Sequence, residues 1–381
     1  MTAGSPPDAG PSGTDAPSIS VLGSWQATDV TAGQVERALS SLRRHERRAA
    51  VRASVVTLVV VVADQAEADA ALGVVHDLGT RHPSRTIVLV VGHHRVRGPE
   101  GGRASGRRDA ATGRVKSGRD AVVTVRAVES GGRIFTFEDV VLTVRAQGRH
   151  HLDSVVEPFT LPDVPMVVWL PSRLPSPGDP LMAAANVVVV DSRAVPAGPD
   201  AGSAGSDELA VADAVLSASA VLARRIPVAD LSWARLEPWR RLLAGMFEGP
   251  ATRDFVRGVE RAVVTGNPGP RLLLGGWLLQ RLALLPQQVR LEPADHVTMR
   301  IDARVDGRSA SFSVERPREE RILVARTDVH GGMRVAQKVT MRRRWPALAL
   351  ATALTQVGHD RSYEEALAGA RALRVAARGA A

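Results

Sequence analysis

The sequence predicts an α/β protein: an N-terminal Rossmann-like, mostly parallel sheet, followed by an α+β C-terminal domain with helices and an antiparallel meander. Three observations predict it. Two β-branched runs, 54–62 and 87–91, bracket a helical stretch at 66–79, the order of a β–α–β unit. Short apolar runs at 166–170 and 187–190 repeat the same kind of strand. From Val297 the hydrophobic period falls to two. Strands covered on both faces read as continuous apolar runs, whereas half-solvated antiparallel strands alternate.

The elements follow in order. Residues 1–20 are rich in Gly, Pro, Ser and Ala and cannot bury enough apolar surface to offset their ordering entropy, so a disordered tail is expected. Thr31 and Gln34 form a capping-box pattern, and Val35, Ala38, Leu39 and Leu42 then fall on one helix face. The β–α–β unit follows, with Ala68, Leu72, Val75 and Leu78 inward and a right-handed crossover that makes its two strands parallel. Residues 93–120, rich in Gly and Arg with no hydrophobic period, read as a mobile loop. Strands are expected at 121–128 and 134–145, and a helix over 150–159 that stops at Pro158. A further short helix is expected over 179–185.

The Gly/Ser/Pro/Asp stretch 197–207 marks the domain boundary. It gives an α/β domain at 21–205, an α+β domain at 206–341 and C-terminal helices at 342–381. Helices are expected at 208–225, 236–247, 252–259 and 272–285, the last between Pro270 and Pro286. Met299, Ile301 and Ala303 then alternate with polar residues, Asp306-Gly307 supplies a tight hairpin turn, and Ala310, Phe312 and Val314 alternate on the return strand. Two more strands, 322–325 and 333–341, extend the meander. Helices at 345–355 and 362–375 end the chain.

Composition narrows the function classes. The 381 residues carry a net charge of +9, with lysine only at Lys116 and Lys338, so the positive charge is almost all arginine. That skew, with the abundance of Ala, Val and Gly, fits a compositional bias better than selection for a polyanion. With no cysteine, disulfides and thiolate metal sites are excluded. No secretory n-region and h-region opens the sequence, and no apolar run reaches spanning length, so a soluble cytoplasmic protein without membrane contact is expected.

Catalytic and cofactor motifs are missing. A dinucleotide fingerprint needs G-x-G-x-x-G directly after a strand, but Val62 is followed by Ala63-Asp64-Gln65 and Val91 by Gly92-His93-His94. Walker and G-x-S-x-G patterns are absent, and the paired histidines His93-His94 and His150-His151 are sequence neighbours that diverge on any regular element. The expectation is a non-enzyme without cofactor or metal. Tryptophans next to arginines stand out instead: Trp169 before Leu170-Pro171, and Trp233, Arg235, Trp239 and Arg240 in one block. Trp and Arg dominate interface hot spots, and Trp also fills cores, so both readings stay open.

Five blocks, in order, resemble the glucose-6-phosphate dehydrogenase assembly protein family (OpcA). They are Val56 to Val60, His82 to Val88, Asp153 to Pro171, Asp230 to Arg235 with Trp239-Arg240, and Gly275-Gly276-Trp277-Leu278. The resemblance implies a non-catalytic assembly factor and allosteric activator of glucose-6-phosphate dehydrogenase in the oxidative pentose phosphate pathway. It makes Trp169, Pro171, Trp233, Arg235, Trp239 and Arg240 the candidate partner contacts. Family members linked to thioredoxin use cysteines, which this chain lacks, and Trp169-Leu170-Pro171 stands where Trp-Trp-Pro is usual. Two alternatives remain: a sugar-phosphate- or nucleotide-binding α/β protein, with Ser84 and Arg85 as anion contacts, or an Arg-rich nucleic-acid binder. The shortage of stacking aromatics disfavours specific nucleic-acid recognition.

Overall fold

The computed structural model describes residues 19–44, 55–79, 84–92, 119–130, 133–145, 151–193, 208–317, 321–341, 346–355 and 358–379. The expected tail over 1–18, nearly all of the 93–120 loop and the 197–207 linker lie outside the described residues.

The β–α–β unit is present as β2 (Val56–Val62), α2 (Gln65–Leu78) and β3 (Ser84–Val90), and β2 pairs with β3 in parallel. Every residue of β2 is buried, which is why its run shows no alternation. Asp64 caps α2 by accepting from the Glu67 backbone N–H. The unit is part of an eight-stranded sheet. The other strands are β1 (Ile19–Ala27), β4 (Arg119–Ser130), β5 (Arg133–Val144), β6 (Met166–Leu170), β7 (Val187–Val190) and β8 (Val228–Asp230). Their order is β1-β4-β5-β3-β2-β6-β7-β8. The pairs β1/β4 and β4/β5 are antiparallel, and the remaining pairs are parallel.

Helices cover both faces of this sheet. α1 (Ala32–Arg44) and the short α3 (Leu152–Val156) and α4 (Pro180–Ala184) bury Val35, Leu39, Val155 and Leu181 on one side. α2 lies on the other, with α9 (Pro346–Thr355) against it. The eighth strand comes from beyond the 197–207 linker, so the first sheet is completed by chain on both sides of that stretch.

A six-stranded sheet of order β10-β9-β11-β12-β13-β14 forms the second layer. It contains β9 (Val259–Gly266), β10 (Val289–Pro293), β11 (Thr298–Val305), β12 (Arg308–Glu315), β13 (Ile322–Val329) and β14 (Arg334–Thr340). The meander matches the period-two reading, with Met299, Ile301, Phe312 and Val314 all fully buried. Asp306 and Gly307 both take positive φ, as a type I′ hairpin demands. α5 (Glu208–Leu222), α8 (Pro268–Arg281) and α10 (Arg361–Gly379) pack together beside this sheet.

Several expectations need correction. The stretch 252–259 is a 3₁₀ turn (Arg253–Gly258) leading into β9, not an α-helix. α8 starts at Pro268, four residues before the expected start, because prolines at its first turn forgo N–H groups that have no helical partner anyway. β1 begins at Ile19, within the expected tail. The 150–159 helix is α3 followed by a 3₁₀ turn that includes Pro158. α8 and α10 cross so closely that a Cβ on Gly276 would lie 2.2 Å from the Ala366 carbonyl, and one on Gly369 would lie 2.2 Å from the Gly276 carbonyl. The Gly-Gly-Trp-Leu block is therefore a helix-crossing device.

Candidate functional site

The predicted contact residues divide into three places. Ser84 and Arg85 open β3 at the amino end of the parallel strands. Arg85 is buried and already committed: its guanidinium donates to Glu138 at 2.9 Å and to the Phe159 carbonyl at 3.0 Å. Glu138 also takes two bonds from Arg43 of α1. An arginine neutralised in this way is a structural cross-link between strand and helix, with its guanidinium engaged inside the protein. On the other face, Asp139 accepts from Arg126 at 2.6 Å and lies 3.2 Å from His76 of α2.

Trp169 is 3% exposed, inside the core shared with α9, and its indole N–H has no partner among the described residues. Pro171, just past β6, is half-buried.

The remaining four residues cluster at the carboxyl ends of β7 and β8. Asp191 follows β7 and Asp230 ends β8. Asp230 caps α6 (Leu231–Arg235) by accepting from the Ser232 N–H at 2.7 Å, and Tyr363 of α10 donates to its other oxygen at 3.4 Å. Asp191 accepts from the Ser232 hydroxyl at 2.8 Å and from Arg235. The Trp233 indole donates to Asp360 at 2.8 Å, and the Arg240 guanidinium lies 3.4 Å from the centroid of its ring. Arg240 also donates to the Trp233 carbonyl. The block Asp230 to Arg240 therefore ties β8, α6, α7 (Glu237–Met246) and α10 together, and its indoles are interior.

This knot has unusual electrostatics. Burial pushes the Asp230 carboxyl up to about 6, and the neighbouring Asp191 charge adds to the rise. Tyr363 is raised well above the ordinary phenol value by burial and by Asp230.

In front of the knot opens a cleft of about 440 Å³ between the carboxyl edge of the first sheet and one edge of the second. Arg235, Leu236 and Trp239 line it, with Asn267 and Pro270 at the start of α8. The loop Asp295-His296-Val297 before β11, Arg316 and Arg321 at strand ends of the second sheet, and Arg193 beyond β7 complete the lining. Of the sequence candidates, only Arg235 and Trp239 line it. Arg193, His296, Arg316 and Arg321 were missed. The one usable signal was Arg193, three residues beyond a buried parallel strand, where α/β sheets present ligand groups.

At the switch point of the sheet, where β2 has β3 and β6 on opposite sides, Glu67 accepts from the Ala63 N–H and the Ser172 hydroxyl. No group of three His, Cys, Asp or Glu residues able to hold a metal occurs among the described residues, and none of their helices is long and apolar enough to cross a membrane.

Comparison with known proteins matches two parts of the chain to separate family models. Residues 75–204 match the model described as glucose-6-phosphate dehydrogenase subunit N-terminal domain, and residues 226–367 match the corresponding C-terminal domain. Relatives named as the OxPP cycle protein OpcA include one from Nostoc punctiforme, 27% identical over 45% of this chain and 36% of its own length. Another, from Synechococcus elongatus, is 34% identical over 21% of this chain and 18% of its own. A third, from Synechocystis, is 26% identical over 41% and 31%. The chain thus spans about a third or less of the length of the curated relatives it matches. With models of both halves matched in order, this chain belongs to the OpcA family of glucose-6-phosphate dehydrogenase assembly proteins.

Proposed function

We propose that this chain is a non-catalytic assembly factor and activator of glucose-6-phosphate dehydrogenase, acting in the cytoplasm on the oxidative pentose phosphate pathway. The observation that carries this reading is the ordered match of both halves to domains described as parts of that dehydrogenase. In physical terms, a factor that binds the active oligomer better than the inactive form shifts the population toward it by the difference in binding free energy. The buried indoles of Trp169, Trp233 and Trp239 shape the scaffold, so direct contact falls to groups that still reach solvent. Among the sequence candidates these are Pro171, Arg235 and Arg240.

The test is to mix the purified chain with the glucose-6-phosphate dehydrogenase of its host. Oligomeric state is followed by light scattering, and rate is followed against substrate concentration. A co-migrating complex with a raised rate or lowered KM is expected. Independent migration with unchanged kinetics overturns the reading.

A further inference from the structure

Over the second sheet several surface guanidiniums are matched by carboxylates: Arg300 with Asp302, Arg304 with Glu260, Arg326 with Glu315 and Arg334 with Asp328. Inside the cleft the match fails. Arg193, Arg316 and Arg321 have no carboxylate partner among the described residues, and Asp295 is the one acid on the lining. Arg235 alone is neutralised, by Asp191.

Three guanidiniums that line one concavity and have no acid partner among the described residues repel one another, and low-dielectric walls strengthen the field they project. Two further features add positive potential. α8 starts at the lining residues Asn267 and Pro270, and the Asn267 side chain makes no capping bond. Arg271, the next residue, is 6% exposed; its Nη1 donates to the Gly266 carbonyl, but its Nε has no partner among the described residues. Burial without an acid holds the Arg271 pKa below the usual arginine value, as expected for an uncompensated buried cation.

The size and walls narrow the ligand. About 440 Å³ suits one small metabolite, not a polymer. Planar guanidiniums suit bidentate recognition of phosphate oxygens. Leu236, Trp239, Pro270 and Val297 supply an apolar surface for a ring, while Asn267 and His296 can orient its hydroxyls.

We propose that this cleft is a binding site for a phosphate monoester of a small polar molecule. Arg193, Arg316 and Arg321 hold the phosphate, and the Trp239 wall receives the body. Because the lining comes from both sheets, the bound ligand bridges them and stabilises the folded joint by mass action. The inference rests on the cleft alone, and its test uses this chain without any enzyme partner, so its failure leaves the assembly reading standing.

Thermal melts of the full chain at fixed ionic strength decide it, with glucose 6-phosphate, AMP, inorganic phosphate and glucose as probes. A saturable rise in Tm is expected with a phosphate ester, smaller with inorganic phosphate and absent with glucose. Whether glucose 6-phosphate or AMP acts at lower concentration assigns the body as sugar or nucleoside. In the double variant Arg193→Ala/Arg321→Ala the rise should need at least tenfold more ligand, with the unliganded Tm unchanged or slightly raised as the repulsion is relieved. The control Arg300→Ala/Arg334→Ala removes the same charge elsewhere and should respond like the parent chain. Should the cleft variant fold poorly, calorimetric titration of Arg316→Ala gives the same reading. A rise with no ester, or an equal rise in the cleft and control variants, overturns the proposal.

Discussion

The two ends of the first sheet bury the same kind of side chain and treat it in opposite ways. Asp139, toward the amino end, is 3% exposed, and Asp230, at the carboxyl end, is 2% exposed. Burial pushes both carboxyls up. At Asp139 the hydrogen bonds and charges of His76 and Arg126 more than offset that push, leaving its pKa below the ordinary value. Glu138 beside it is likewise brought down, against burial, by Arg43 and Arg85. At Asp230 no guanidinium answers. The nearby Arg235 is spent on Asp191, and the carboxyl rises to about 6. Equal burial therefore predicts nothing about charge until the partners are known. The amino end is closed electrostatically, whereas the carboxyl end keeps a raised acid behind a cleft where three of four arginines have no acid partner among the described residues. Perturbed, uncompensated groups beside a concavity mark functional sites more often than closed ion pairs do.

Breaking the closed end should cost most. Asp139→Ala strands Arg126 in the core, and removing one member of a buried pair typically costs about 3–5 kcal/mol. Urea unfolding should show a loss of this order. A loss under about 1 kcal/mol would mean that water reaches the site and the pair does not close it.

The next effect turns on pH and separates the two ends by sign. Glu138 and Asp139 have depressed folded pKa values, so their stabilisation is present above the unfolded pKa and lost as pH falls through the folded one. Asp230 is the reverse. Its folded value of about 6 lies above the ordinary carboxyl value of 3.8, so stability is fully present below 3.8 and is lost as pH rises through 6. A rise of that size corresponds to on the order of 3 kcal/mol between the two limits. Asp230→Asn keeps an acceptor for the Ser232 N–H and removes the titration. The variant should gain stability over the parent at pH 7.5 and show little gain at pH 4. An equal difference at both values would show that Asp230 titrates normally.

The contrast between the ends also explains what could be read from the sequence. Val56–Val62 announces a doubly covered strand because every residue is apolar, and Asp306-Gly307 announces a hairpin because only such residues take positive φ together cheaply. These signals are local. β8 is three residues long, too short for any period, so the completion of the first sheet could not be seen. The stretch around Phe255 carries helical spacing, but Gly258 and the strand after it end the coil as a 3₁₀ turn. Arg85 seemed a free cation because its acid, Glu138, is 53 positions away and meets it only when β3 pairs with β5. The cleft was hidden for the same reason: Arg193, Arg316 and Arg321 follow or precede different strands of two different sheets. Trp233 and Trp239 stay open between interface and core in the sequence, since an indole at an interface and one in a core leave the same letter, and the structure buries both.

Trp233 lets the carboxyl-end knot be probed without touching the cleft. Trp233→Phe keeps a ring beside Tyr363, 5.9 Å away between centroids, and removes the N–H that Asp360 accepts. Leaving a carboxylate short of one charge-assisted bond costs about 1–3 kcal/mol. Thermal melts should show that loss, and ligand response should survive in the folded fraction. Loss of response with no loss of stability would place the indole in the site instead of behind it.

The smallest effect is the most telling for the open end. Arg316→Ala removes an exposed guanidinium that has no acid among the described residues. Surface changes of this kind usually alter stability by within about 0.5 kcal/mol. Here relief of repulsion from Arg193 and Arg321 favours a slight gain, which should shrink as salt screens the three charges. Melting the variant and the parent across a salt series checks this. If instead Arg316→Ala destabilised by more than about 1 kcal/mol at every salt concentration, the guanidinium would be held by a partner within the chain. The carboxyl end would then be closed in the same manner as the amino end, and the contrast between them would disappear.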